Sequence, residues 1–225
     1  AERFAFGMRW TRANRTPKDF FCAGESGAGY INPGNLVTPR PWSDLPSGVN
    51  AWEEHCQRYF RQWDISLTGF IIDGYARGMT DEVLDAYARF SPDGVVPQKI
   101  PPQGVHEGMP YLRMNLDLPH HPGEAASAIL SRFGGRSPQF LAFRSILKTP
   151  TWYKQVDNAV KNLSNEPVQA VDLYTLLWLV REYETHPERY SEFGDAAFVR
   201  ATPSVEEGLF RACVPDGPCR ESEKN

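Results

Sequence analysis

Two carboxylates stand where strands should hand over to loops. Glu25 closes the run Asp19-Phe20-Phe21-Cys22-Ala23-Gly24 and opens a loop with glycines at 24, 27 and 29. Such a loop lets backbone approach a ligand closely, and its large polar groups are Glu25, Tyr30 and Asn32. Asp73 ends the apolar run Gly69-Phe70-Ile71-Ile72. An acid at the end of a buried strand is a catalyst, a ligand clamp or a cap on the next turn, because carboxylates are rarely buried unpaired. Asp117 and Asp172 hold similar strand-end positions, with capping and ion pairing as their alternatives. Arg113 and Arg144 alternate with apolar neighbours in strand-like runs. A buried guanidinium demands a carboxylate, so each orients an acid, binds a substrate hydroxyl or closes a salt bridge.

Other chemistries fit less well. The glycine loop is followed by no Lys-Ser/Thr and no evident helix start, so it is a poor phosphate cradle. Gly24-Glu25-Ser26-Gly27-Ala28 matches the Gly-x-Ser-x-Gly nucleophile elbow only in part, with Ala28 where the second glycine belongs. The five histidines, among them His106 and the pair His120-His121, lack zinc-ligand spacing, so no metal and no cofactor is assigned. Asp93, in Ser91-Pro92-Asp93-Gly94, is read as a turn residue.

The chain around these residues has 225 positions, 41% of them hydrophobic, which is enough for one substantial core. Its formal net charge of −4 gives no global attraction to phosphate backbones, so nucleic acid is not an expected partner. No apolar run approaches the roughly 20 residues needed to cross a bilayer, so no membrane insertion is expected. The 19 prolines and 18 glycines fall between apolar runs and imply shaped loops. Cys213 and Cys219 flank a turn-rich spacer that can close a disulfide loop, while Cys22 and Cys56 read as buried thiols or a second bridge. The sequons at Asn14 and Asn162 add to a secreted or lumenal expectation.

The elements that must position these groups alternate. Strands are expected at 4–10, 19–25, 65–72, 95–96, 109–118, 140–147 and 168–174. Helices are expected at 50–63, 81–90 behind a Thr80 cap, 123–133, 151–163 and 176–183. That order argues an α/β fold with a mostly parallel sheet, either open or an irregular seven-stranded (β/α) barrel. In both, ligands bind beyond the C-terminal ends of the strands. One domain is expected over 1–187, with a partly disordered extension over 188–225. The proline-rich stretches 33–46 and 97–110 read as loops walling the site. Trp52, Trp63 and Trp178 fall at helical spacing and belong to the core, whereas Trp42 sits in a loop and is a candidate stacking platform.

The run Glu25-Ser26-Gly27-Ala28-Gly29-Tyr30-Ile31-Asn32-Pro33 resembles the signature of the GxGYxYP (putative glycoside hydrolase) family. The likeness continues through 69–74, 90–94, 109–111, 143–147 and 171–174, up to about Tyr183. It is similar to the family's C-terminal domain, and implies a separate N-terminal region, on the same or another chain, as a partner. Asn32 departs from the pattern, standing where the family name has its second Tyr. The resemblance implies a carbohydrate or glycan as ligand. Glycoside hydrolysis uses two carboxyls about 5–5.5 Å apart for retention or roughly 6.5–9.5 Å for inversion. Glu25 and Asp73 are the expected catalytic pair, with Tyr30, Asn32, Trp42, Arg113, Asp117, Arg144 and Asp172 binding substrate. The alternative is a non-catalytic carbohydrate-binding or structural extracellular glycoprotein.

Overall fold

The computed structural model describes residues 4–17, 19–41, 43–71, 73, 77–134, 138–165 and 167–191. Trp42, Cys213, Cys219 and the extension from 192 lie outside the described residues.

The amphipathic pattern Trp52, Cys56, Phe60, Trp63 produces helix α2 (Val49–Trp63), and all four side chains are buried. It packs on α3 (Asp81–Phe90), whose inner face carries Val83, Leu84, Tyr87 and Phe90. Edge-to-face contacts of Trp52 with Tyr87 and Phe90, and of Phe60 with Phe90, lock the two helices together. On the outer side the Arg89 guanidinium donates to both oxygens of Glu53, at 2.6 and 2.7 Å. Thr80 precedes α3 as expected, but only its backbone carbonyl caps, accepting from Val83 and Leu84.

Strands β1 (Leu67–Ile71), β2 (Gly94–Pro97), β3 (Gln103–His106) and β4 (Met109–Leu112) form one sheet in the order β1-β2-β4-β3. β1, β2 and β4 run parallel, and β3 pairs antiparallel with β4. The β3–β4 hairpin turns through Glu107 and Gly108, both at positive φ, the geometry a two-residue turn requires. Next to β1, the chain at 22–25 is extended. Ala23 bridges Thr68 in parallel, its N–H donating to Leu67 O and its carbonyl accepting from Gly69 N.

The expected strand 109–118 is one extended run divided between two sheets. β4 ends at Leu112, the Arg113 N–H turns away to Pro102 O, and β5 (Met114–Asp117) pairs in parallel with β6 (Ala142–Arg144). Helix α6 (Leu173–Thr185) covers β2, β3 and β4, while α4 (Pro122–Leu130) packs on α5 (Pro150–Leu163). A short α7 (Glu188–Ser191) closes the described chain.

The fold is therefore mixed α/β with a parallel sheet, but the described strands form a four-stranded and a two-stranded sheet, not a closed seven-stranded barrel. Two expected strands are absent, which removes the material for closure. Residues 4–10 fall largely in helix α1 (Ala5–Ala13), built on Ala, Met and Arg, with Phe6 and Trp10 exposed. Residues 168–172 run without regular structure into α6, because Asp172 caps that helix. The stretch 97–110 is a correction of the opposite kind, since β3 lies inside what reads as loop. Cys22 is exposed and Cys56 buried, and both are free, so no bridge links them.

Candidate functional site

The C-terminal ends of the parallel strands gather most of the singled-out residues. At the end of the 22–25 segment, the glycine loop folds back on itself. Gly27 N donates to Gly24 O, the Ser26 hydroxyl donates to Gly29 O at 2.8 Å, and Ala28 N donates to the Ser26 hydroxyl. Gly27 and Gly29 adopt φ of 87° and 83°, and Glu25 itself sits at 54°, where a side chain is uncommon. The loop is held from below through one atom. The Ser26 carbonyl accepts the Trp52 indole N–H at 3.2 Å and the Tyr87 hydroxyl at 3.3 Å, with the Cys56 thiol at 3.9 Å. A buried Trp and Tyr must satisfy their polar ends, and here one carbonyl serves both.

Pro33–Asn35 forms a 3-10 turn behind this loop, where a Cβ on Gly34 would lie 2.5 Å from Arg77 O and 2.7 Å from Gly78 O. That close approach, with Asn35 Oδ1 accepting from Arg77 N, pins the signature to the chain that follows β1. Asn32 is half-buried at the head of the turn, and Tyr30 is 85% exposed beside it.

Asp73, two residues past β1, is 1% exposed. Its Oδ1 accepts the backbone N–H groups of Gln98 (2.7 Å) and Lys99 (3.2 Å), just past β2. Burial raises its pKa, and these backbone hydrogen bonds offset only part of that rise. Glu25 is also buried. Both acids, with Cys56, act on the enclosed Tyr87 hydroxyl, whose pKa rises chiefly through desolvation and then through their charge.

Asp117 ends β5 and Arg144 ends β6, joined by a two-pronged ion pair from Nε and Nη2 to the two carboxylate oxygens. The pair holds the Asp117 carboxyl below its ordinary value and raises Arg144. After Asp117, smaller contributions to the rise at Arg144 come from Glu25 and Tyr30, which ties the β5–β6 end to the glycine loop.

Glu25, Tyr30, Asp117 and Arg144 thus share one electrostatic neighbourhood, and Glu25 and Asp73 share another around Tyr87. Asp172 is engaged elsewhere: its carboxylate accepts the Thr175 N–H and hydroxyl at the start of α6. Arg113 is exposed at the bend between the two sheets rather than buried as its neighbours imply. Asn14 and Asn162 are both exposed. His121 caps α4 through Nδ1, and the His120 carbonyl accepts the Trp152 indole. Sequence reasoning missed Tyr87 and Trp52 as supports of the loop. Their helical spacing identifies them as core, while the need of a buried hydroxyl and indole for an acceptor is the signal that points further.

A separate cavity of about 1110 Å³ opens between α4, α5, β6 and α6, with walls that include Leu118, Ile129, Val156 and Leu176. Neither Glu25 nor Asp73 lines it, so the largest void and the strand-end acids are different places.

No curated protein and no solved structure matches the chain. A family model matches residues 5–181, spanning the glycine loop, both strand-end acids and the Asp117–Arg144 pair. The chain belongs to the family described as GxGYxYP putative glycoside hydrolase C-terminal domain.

Proposed function

We propose that the protein is a carbohydrate-active hydrolase that cleaves glycosidic bonds with Glu25 and Asp73. The observation that carries this reading is the placement of both acids at C-terminal strand ends around one buried phenol, Tyr87. Asp73, with its pKa raised by burial, suits the proton donor to the leaving oxygen. Glu25 acts as the second carboxylate, on the sugar or on a water. Arg144, fixed by Asp117, and the exposed Tyr30 with its neighbour Asn32 position the sugar. The glycan is the partner this reading requires.

The test is the pair Glu25→Gln and Asp73→Asn. Each removes the carboxyl chemistry while keeping the shape, and is expected to lower hydrolysis by about 10²–10⁴ with the folded state intact. Full activity in both variants overturns the assignment.

One observation favours a second reading, a non-catalytic glycan binder. Asp73 receives the backbone N–H groups of both Gln98 and Lys99, as a purely structural clamp on the β2 exit does. Under that reading wild-type protein retains glycans on an array but releases no product.

A further inference from the structure

Leu147 combines two unfavourable features at the same end of the sheets. It is 99% exposed, and it adopts a φ of 52° although it carries a branched side chain. Water around a whole leucine and a left-handed backbone each cost free energy, and folding gains nothing from either. Such a residue is accounted for by something that covers it in use.

Its surroundings say what that is. Leu147 follows Arg144 by three positions, just past the end of β6. Ile146 beside it is 55% exposed, and Tyr153, at 49%, is bonded through its hydroxyl to the Ser145 hydroxyl at 2.5 Å. That bond anchors the loop to α5 and leaves the Tyr153 ring partly open. Lys148 is engaged as well, with its ammonium against His120 Nδ1 and over the Trp152 ring, so it is directed away from the aliphatic pair. Tyr30, the most exposed tyrosine of the glycine loop, contributes to the field at Arg144. The rim next to the Arg144–Asp117 pair is therefore aliphatic and aromatic.

We infer that Leu147, with Ile146, forms a subsite for a hydrophobic aglycone, setting a preference for glycosides whose leaving group is an aromatic or alkyl moiety. The proposal rests on the carbohydrate reading above and deepens it. The sugar hydroxyls go to the polar groups at the strand ends, and the apolar substituent lies over Leu147, removing it from water.

The experiment compares para-nitrophenyl glycosides with the matching methyl glycosides across gluco, galacto, manno and xylo forms in both anomers. Affinity is read by calorimetry or saturation-transfer NMR on wild type, Leu147→Gly and Leu147→Asn. Glycine and asparagine both tolerate the left-handed conformation, so thermal unfolding midpoints should stay level or rise. Loss of the leucine should weaken para-nitrophenyl glycosides about tenfold and leave methyl glycosides unchanged. Equal affinity for the aryl ligand in wild type and both variants overturns the subsite. So does a lower unfolding midpoint in both variants, since the leucine then serves folding. If wild type binds no member of either series, the carbohydrate reading falls and the subsite with it, whereas methyl-glycoside binding without an aryl preference overturns the subsite alone.

Discussion

Replacing Gly27 and Gly29 one at a time by alanine separates backbone strain from packing under the signature loop. Both glycines have positive φ, 87° and 83°. An L side chain there costs about 1–2 kcal/mol in either case. Their surroundings differ. A Cβ at Gly27 would meet the Phe60 ring at 3.0 and 3.2 Å and the Cys56 sulfur at 3.3 Å, whereas nothing lies within 4 Å of one at Gly29. Phe60 cannot yield easily, because Phe90 packs edge-on against it at 4.8 Å. Overpacking of this kind adds about 1–3 kcal/mol, so Gly27→Ala should cost about 2–5 kcal/mol in total. In a chain of this size each kcal/mol moves the midpoint by about 2–4 °C. Equilibrium urea unfolding followed by circular dichroism measures both variants. Adding Phe60→Leu should recover part of the Gly27→Ala loss and none of the Gly29→Ala loss. Equal costs at the two glycines, or a milder effect at Gly27, would refute the account of how the loop is seated.

Three further outcomes follow from the same geometry. The Asp73 carboxyl, with its pKa raised above 3.8 by burial, binds its proton more tightly folded than unfolded. Its contribution is complete below the unfolded pKa and is lost as pH rises through the folded one, so Asp73→Asn should flatten the pH dependence of urea midpoints across that window. Asp117 behaves oppositely, since Arg144 lowers its pKa. Its stabilisation is present above the unfolded pKa and disappears as pH falls through the folded one. With Asp117 half exposed, Asp117→Asn should cost under about 1 kcal/mol near neutral pH. Cys56, fully buried with its thiol pushed up to about 12, should resist iodoacetamide at pH near 8 until the protein unfolds, as peptide-level mass spectrometry can follow.

The sequence was most informative where one face of one element decides the outcome. Trp52, Cys56, Phe60 and Trp63 mark α2 because helical spacing brings them to a single face, and all four are buried. It misled where composition and local hydrogen bonding disagree. Val168 to Tyr174 is β-rich in composition, yet the Asp172 carboxylate capping Thr175 starts a helix inside it. Phe4, Phe6 and Trp10 look like strand residues, but nothing buries them, so Ala5, Met8 and Arg9 decide for helix. β3 escaped notice among prolines, although Glu107-Gly108 carries the turn that makes its hairpin. For the site, strand-end logic located Glu25, Asp73, Asp117 and Arg144. It could not pair Asp117 with Arg144, 27 residues apart, or find that Trp52 and Tyr87 meet on the Ser26 carbonyl. Those contacts are long-range, and a single sequence carries no signal for them.

The central claim is that the two strand-end acids perform hydrolysis. The measurement that tests it most directly is product analysis on any glycan retained by the wild-type protein, repeated with Glu25→Gln and Asp73→Asn. The account predicts cleavage by wild type, and binding without turnover by both variants at unchanged unfolding midpoints. Binding without any product from wild type, or wild-type rates in both variants, would contradict it.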